Sequence, residues 1–298
     1  MVIAAPVLAA KERRRAKLLG VPIYWHFLSL DAPTIAVLWA WNFARSAQLH
    51  ANVSAISVLG IGTWLIYVAD RLLDAQSAHR SLLDHNLRER HFFHARHRRT
   101  FLIAAAGATL ALLEIISIMP VSARRDDTLI FAFSMLYFSI VHLPVARIIR
   151  KFPREFAVGI LFACATAVPA WSQPESNHAM LLPSIMLFAG LCCLNCLAIE
   201  IWERPVGPSH QFTIPSFALC VAVASAAVIL ARHGSGPARV AASALASALV
   251  MLALDRLYRR FTDRTPSHEE SAGFLLAMRI AVDAALLTPV FFVLPWRG

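Results

Sequence analysis

Charged residues are scarce in this chain. Asp, Glu, Lys and Arg make up only 15% of its 298 residues, whereas about 25% is usual for a soluble domain. Hydrophobic residues account for 58% of the chain, and apolar runs of membrane-spanning length recur from one end to the other. Because helices satisfy their own backbone hydrogen bonds in lipid, this composition predicts an all-α polytopic membrane protein.

Cysteine is also rare, and all five cysteines fall inside apolar runs, so disulfide bonds are not expected. Cys193 and Cys196 form a CxxC pair, but no second pair completes a metal site, and helix packing is the favoured interpretation. No nucleic-acid-binding motif accompanies the net charge of +10. A secretory signal peptide is not expected, because the apolar residues 1–10 precede the basic cluster 11–17 instead of following it.

Nine apolar segments predict nine transmembrane helices in one bundle. They lie near residues 24–46, 53–73, 100–121, 127–147, 155–172, 179–201, 212–231, 238–257 and 274–295. The connections between them are short, so no separate soluble domain is expected. We therefore divide the chain into a basic N-terminal tail, 1–22, and a transmembrane domain, 23–298.

The distribution of Lys and Arg predicts the orientation of these helices. Twenty-one of them fall in the tail and in the connections on its side, against six in the other connections. By the positive-inside rule, the N-terminus is expected in the cytoplasm and the C-terminus outside. The protein is then an integral, multi-pass protein of the inner or cell membrane, with lipids as its surroundings.

Asp70 and Asp74 end the second segment, in the run Tyr-Val-Ala-Asp-Arg-Leu-Leu-Asp. Residues four apart lie on one face of a helix, and two carboxylates at its C-terminal end oppose the helix dipole. A divalent cation such as Mg²⁺ between or beside them would explain the pair. The alternative is an ion pair of Asp74 with Arg71, without any ligand.

Glu200 and Glu203 end the sixth segment in the same way, one helical turn apart and before Pro205. With Asn195, they predict a second set of metal ligands that faces the first across the bundle. The alternative is a solvated helix end in which a glutamate pairs with Arg204.

A basic run precedes the fifth segment, with Arg147, Arg150, Lys151 and Arg154. Arginine and lysine side chains bind a diphosphate and stabilise charge on a leaving phosphate. The run is also what a cytoplasmic loop carries as a determinant of topology. Arg279 and Asp283, four residues apart in the last segment, are interpreted as an internal structural ion pair.

A loop rich in histidine and arginine follows the second segment, including His91, His94 and His97. These histidines do not form a tetrahedral zinc set, because a spacing of three drifts around a helix. Contact with anionic lipids or with a diphosphate is the preferred interpretation.

With its carboxylates placed, the chain resembles the UbiA superfamily of intramembrane prenyltransferases. The segment Tyr67 to Asp74 is similar to the latter part of that family's first Asp-rich motif, NDxxDxxxD, with Ile66 and Tyr67 where Asn and Asp are expected. The stretch from Asn195 to Glu203 lies where the second motif belongs, with glutamates in place of aspartates. The resemblance implies nine helices around a central cavity that opens to the cytoplasm.

The resemblance also implies an activity: Mg²⁺-dependent, or Mn²⁺-dependent, transfer of a prenyl group from a polyprenyl diphosphate to an aromatic or other lipophilic acceptor. Asp70, Asp74 and Arg71 are then expected to be catalytic, and Asn195, Glu200 and Glu203 to complete the metal ligands. The basic run is expected to hold the diphosphate. Aromatic rings are expected to stabilise the allylic cation, and the candidates are Trp64, Tyr67, Tyr137 and Trp202.

Two alternatives remain. A terpene cyclase of the same fold would quench the cation within its own chain, without an acceptor. A transporter or lipid-binding membrane protein would carry out no chemistry, although internal repeats, which are common in transporters, are not evident here. In the enzymatic interpretation, the tail of an elongated isoprenoid is expected to extend into the bilayer between helices.

Overall fold

The computed structural model describes residues 20–80, 93–94, 96–121, 124–126, 128–129, 131–132, 154–203, 212–233, 235–264 and 268–293. Throughout these ranges the regular secondary structure is helical. We number the α-helices in chain order. They are α1 (Gly20–Phe27), α2 (Asp31–Ser46), α3 (Val53–Arg80), α4 (Arg98–Ile118), α5 (Arg154–Trp171), α6 (His178–Glu203), α7 (Thr213–Ala231), α8 (Gly236–Thr262), α9 (His268–Ala284) and α10 (Val290–Val293), and a 3₁₀ turn, Ala285–Leu287, joins the last two.

Seven helical stretches within the described part of the chain are long and apolar enough to cross a membrane. Six of them belong to the helices α3 to α8, and the seventh, Gly273–Phe292, combines α9 with the turns that follow it. The bent pair α1 and α2 provides an eighth if it counts as one span. The prediction of an all-helical chain with several membrane-length helices is confirmed. Most of the predicted fourth segment, 127–147, lies outside the described residues, so the number nine stays a prediction.

The first predicted segment is not one straight helix. α1 and α2 meet at an angle of 91°, and Ser29 between them has a φ of 59°, a left-handed conformation that ends a right-handed helix. Arg71 of α3 stabilises this corner from outside. Its Nη1 donates hydrogen bonds to the carbonyl oxygen of His26 (2.6 Å) and to the Oγ of Ser29 (2.9 Å). A partner from a distant helix therefore fixes a bend that the hydrophobic pattern of the segment does not show.

One apolar cluster connects α2 with α5, α6, α7, α8 and α9. At its centre, the ring of Trp39 stacks on that of Phe188 with 4.3 Å between the centroids, and both side chains are fully buried. α5 and α6 approach each other closely at Gly159, where a Cβ atom would lie 2.6 Å from the backbone nitrogen of Cys193. A glycine is required there because any side chain would have to displace backbone of the facing helix.

The direction of the helices gathers polar residues at one end of this cluster. Asp31 and Arg154 are the first residues of α2 and α5, whereas Glu203 is the last residue of α6. All three line the same cavity. The ends of several helices therefore meet around one site.

Candidate functional site

A cavity of about 250 Å³ lies between α2, α3, α5, α6 and the last predicted span, which begins with α9. Its described lining comes from α2 (Asp31, Ala32, Ile35), α3 (Tyr67, Asp70, Arg71), α5 (Arg154, Glu155, Val158, Gly159, Phe162), α6 (Cys192, Asn195, Cys196, Ile199, Glu200, Glu203), and α9 with the turn after it (Arg279, Asp283, Leu286). Asp70 of α3 and Asn195, Glu200 and Glu203 of α6 therefore line one space, and the part of Asp74, whose side chain lies outside the described structure, stays a prediction.

Asp70 of α3 and Arg154 of α5 are neighbours in the lining of this cavity. The Nη2 atom of Arg154 is 3.8 Å from Oδ1 of Asp70, and the exposed fractions of the two side chains are 55% and 34%. At this separation and exposure the ion pair is weak.

Glu203 of α6 and Arg279 of α9 form a closer ion pair in the lining of the same cavity. Nη1 of Arg279 donates to Oε1 of Glu203, and both side chains are largely buried, with exposed fractions of 15% and 16%. From the sequence, Arg279 and Asp283 are interpreted as a structural ion pair within one helix. The structure also shows Arg279 joining α9 to the end of α6 through Glu203, and both residues line the cavity. The pairing with Asp283 stays a prediction.

A third polar group, the acid–histidine cluster, lies deeper in the wall and comprises His26, Asp31 and Asp283. Nδ1 of His26 is 2.7 Å from Oδ2 of Asp31 and 3.7 Å from Oδ2 of Asp283. Asn195 donates from Nδ2 to Oδ1 of Asp283 at 3.1 Å. Three potential ligand atoms of the cluster lie within 4.8 Å of one another. Sequence reasoning did not single out His26, although charged residues at membrane depth, such as Asp31 and Asp283, are a signal of function.

Arg71 lines the cavity, but its side chain is 5% exposed and its hydrogen bonds point to the α1–α2 corner. Its Nη2 atom also lies 3.5 Å from Oδ2 of Asp31. The guanidinium therefore holds His26 and Asp31 in place. Its expected part in neutralising pyrophosphate would require it to leave these partners.

The aromatic candidates separate into two groups. Tyr67 lines the cavity. Trp64 and Trp202 are not among its described lining residues: the indole of Trp64 donates to the carbonyl of Leu28 (3.0 Å), and that of Trp202 to Oδ1 of Asp255 (3.3 Å). The side chains of five predicted site residues lie outside what the structure describes. They belong to Asp74, Tyr137, Arg147, Arg150 and Lys151. For one of these residues, Asp74, the backbone is described as part of α3.

The described lining carries more acidic than basic groups. Six carboxylates face three guanidinium groups, which gives a formal charge of −3. The acids are Asp31, Asp70, Glu155, Glu200, Glu203 and Asp283, and the bases are Arg71, Arg154 and Arg279. Such a cavity attracts cations and repels a bare anion. A phosphate ligand would therefore bind together with a cation.

Further from the mouth the lining mixes Tyr67, Asn195 and Asp283 with apolar side chains. From Glu203 the lining of α6 continues to Cys192, eleven residues and therefore about 16 Å along the helix axis. Ala32, Ile35, Phe162 and Leu286 surround this inner part. The space thus combines a charged mouth with an inner part that is partly apolar. An amphiphile could occupy it if a cation accompanied its anionic head.

Comparison with family models, with curated proteins and with solved structures finds no match for this chain.

Proposed function

We propose that this protein transfers a prenyl group from a prenyl diphosphate to a lipophilic acceptor, in a reaction that depends on Mg²⁺ or Mn²⁺ and takes place in the cavity. The observation that supports the proposal is that Asp70, Glu200 and Glu203 line one cavity whose inner part carries apolar side chains. Asp70 ends one predicted span, and Glu200 and Glu203 end another. Their carboxylates offer a site for the cation, and the apolar residues of the lining offer a site for the hydrocarbon chain of the substrate.

The donor atoms at the mouth suit a hard divalent cation. Carboxylate and amide oxygens are the ligands that Mg²⁺ accepts, and Mg²⁺ commonly bridges one or two carboxylates to substrate phosphates. Asp70, Glu200 and Glu203 would hold the ion, with Asn195 further in; Asp74, whose side chain lies outside the described structure, is expected to join them from the sequence alone. When bound, the cation neutralises the diphosphate and helps it to leave.

The protein's own residues then serve the reaction in three ways. Arg154, exposed at the mouth, is placed to bind the diphosphate and stabilise it as a leaving group. The apolar walls exclude water, which would otherwise capture the allylic cation. The rings of Tyr67 and Phe162 line the cavity, where their π faces stabilise positive charge.

The experiment uses the full-length protein in detergent or nanodiscs with Mg²⁺ and prenyl diphosphates of several lengths. Each donor is supplied with and without an aromatic quinone-precursor acceptor, and pyrophosphate release is measured. We expect release that depends on Mg²⁺ and falls at least a hundredfold in Asp70→Asn and in Asp74→Asn. Asp263→Asn is the matched control, because Asp263 is exposed at the end of α8 and lies outside the described cavity lining.

Three outcomes separate this proposal from its alternatives. A prenylated acceptor supports transfer. A single product from the donor alone, formed without acceptor, identifies a cyclase of the same site. The absence of pyrophosphate release with every donor, or undiminished release in both aspartate variants, contradicts the proposed site and returns the transporter or lipid-binding alternative.

A further inference from the structure

Four packed aromatic rings adjoin the inner end of the described lining, and we call them the aromatic floor: Trp39, Phe43, Phe162 and Phe188. Phe188 is the centre of this group. Its ring centroid lies 4.3 Å from that of Trp39, 5.8 Å from Phe43 and 6.1 Å from Phe162. Only Phe162 belongs to the lining of the cavity, and the other three side chains are fully buried.

The helix registers place this floor directly below the lining. Trp39 is one turn beyond Ile35 on α2, and Phe188 is one turn beyond Cys192 on α6. Residues four apart on a helix lie on the same face. On α2 and α6, the faces that line the cavity therefore continue inward as packed aromatic side chains.

The floor is also anchored to a third element. The indole nitrogen of Trp39 donates a 2.8 Å hydrogen bond to the carbonyl oxygen of Leu286, which lies in the 3₁₀ turn after α9 and lines the cavity. A tryptophan held by stacking on one side and by a buried hydrogen bond on the other has little freedom to swing aside. Trp39 is consequently a fixed part of the aromatic floor.

We propose that the aromatic floor limits the length of the hydrocarbon tail, so that the donor is a short-chain prenyl diphosphate and Phe162 sets the limit. This inference rests on the proposed function. Glu200 at the mouth and Cys192 above the floor are eight residues apart, about 12 Å along α6, which leaves room for roughly two or three isoprene units. It also replaces the expectation from the sequence that an elongated tail extends into the bilayer.

The test measures binding instead of turnover. Non-hydrolysable thiolodiphosphates with geranyl, farnesyl and geranylgeranyl chains are bound to the full-length protein with Mg²⁺, and their Kd values are compared. We expect geranylgeranyl to bind at least tenfold more weakly than the best shorter chain. Phe162→Ala should remove that difference, because each additional buried methylene strengthens binding about fourfold.

Two further variants complete the series. Phe162→Trp should exclude farnesyl as well, and Cys192→Leu provides a second, independent obstruction of the same end if the tryptophan variant does not fold. Ile160→Ala is the matched control, because Ile160 lies two residues from Phe162 on the same helix, is 46% exposed and is not part of the described lining. Its chain-length profile should equal that of the unmodified protein.

Equal affinity for all three chains in the unmodified protein would overturn the proposal, since the tail would then leave the cavity sideways. A profile unchanged by both Phe162→Ala and a folded obstructing variant would overturn it too. Failure of the proposed function gives a different pattern, with a length limit in binding that follows Phe162 but no pyrophosphate release from any donor. If pyrophosphate is released at the same rate from donors of every chain length, the proposed function stands and the aromatic floor does not limit the length of the tail.

Discussion

Arg71 and His26 are joined across the α1–α2 corner by a 2.6 Å hydrogen bond from the guanidinium Nη1 to the carbonyl oxygen. The same guanidinium reaches Ser29, and its Nη2 lies near the carboxylate of Asp31. Because the side chain of Arg71 is buried, its charge is balanced by this carboxylate and these oxygens. The corner, and with it the position of Asp31 in the cavity wall, depends on one side chain from α3.

Arg71→Gln should therefore destabilise the protein. Removing one member of a buried charged pair costs about 3–5 kcal/mol, because the remaining charge loses its partner. Arg71→Lys should recover only part of this loss, since a single ammonium cannot reach His26, Ser29 and Asp31 with the fork of a guanidinium. Thermal unfolding in detergent measures the change.

Arg256→Gln is the control for that experiment, because Arg256 is exposed on α8 and its removal should change the stability by less than about 0.5 kcal/mol. An Arg71→Gln protein with unchanged stability and lost activity would contradict the structural role. It would favour the direct contact with pyrophosphate that the family resemblance implies.

Gly159 should not tolerate a side chain. In Gly159→Ala, the new Cβ would lie 2.6 Å from the backbone nitrogen and 2.7 Å from the Sγ of Cys193, so α5 and α6 must separate. Overpacking of this kind costs about 1–3 kcal/mol, and the separation also widens the cavity that both helices line. The expected result is a lower unfolding temperature together with weaker binding of prenyl thiolodiphosphates.

Gly107→Ala is the matched substitution on α4, where a Cβ atom meets no described residue within 4 Å. It should be neutral or stabilising by about 0.5–1 kcal/mol, because alanine is the better helix former. If Gly159→Ala behaves like Gly107→Ala, the close approach of α5 and α6 is not a feature of the folded protein.

The sequence predicts the helices and the mouth of the cavity, but not its deeper part. Asp70 and Glu203 could be found because carboxylates at the C-terminal ends of apolar helices are unfavourable unless a ligand or partner compensates them. The contacts of His26 with Arg71 and Asp283, and that of Arg279 with Glu203, could not be predicted. These partners lie on helices that are distant along the chain, and no periodicity of the sequence encodes which helices are neighbours. The bend at Ser29 is hidden for the same reason, since Arg71 lies 42 residues away along the chain.

Glu203 and Arg279 should be coupled in stability. In Glu203→Gln or in Arg279→Gln, a largely buried charge loses the partner with which it shares a hydrogen bond. The double variant removes both charges, so it should be more stable than the sum of the single effects by about 0.5–3 kcal/mol. A double-mutant cycle on unfolding temperatures or on denaturant midpoints gives this coupling energy, and a value of zero would show that the pair does not join α6 to α9.

Trp202 should act on stability and not on the ligand. Its indole donates to Asp255, a buried carboxylate that also accepts a 2.7 Å hydrogen bond from Nε of Arg259. Trp202→Phe keeps an aromatic ring but leaves one acceptor of a buried carboxylate without its donor, which costs about 1–3 kcal/mol. We expect a lower unfolding temperature and an unchanged Kd for a prenyl thiolodiphosphate. A changed Kd at full stability would place Trp202 at the ligand after all.

Binding of the divalent cation should be visible without any substrate, because a ligand that binds only the folded protein raises its stability, by about 2.7 kcal/mol when the free ligand reaches a hundred times its Kd. Mg²⁺ should therefore raise the unfolding temperature of the unmodified protein, and Ca²⁺ should do so less if the mouth is shaped for the smaller ion. Asp70→Asn should shift the Mg²⁺ dependence to at least tenfold higher concentration. Asp263→Asn, which alters an exposed carboxylate outside the described lining, should follow the unmodified protein. An identical Mg²⁺ response in both variants would place the cation away from Asp70 and remove the metal from the proposed site.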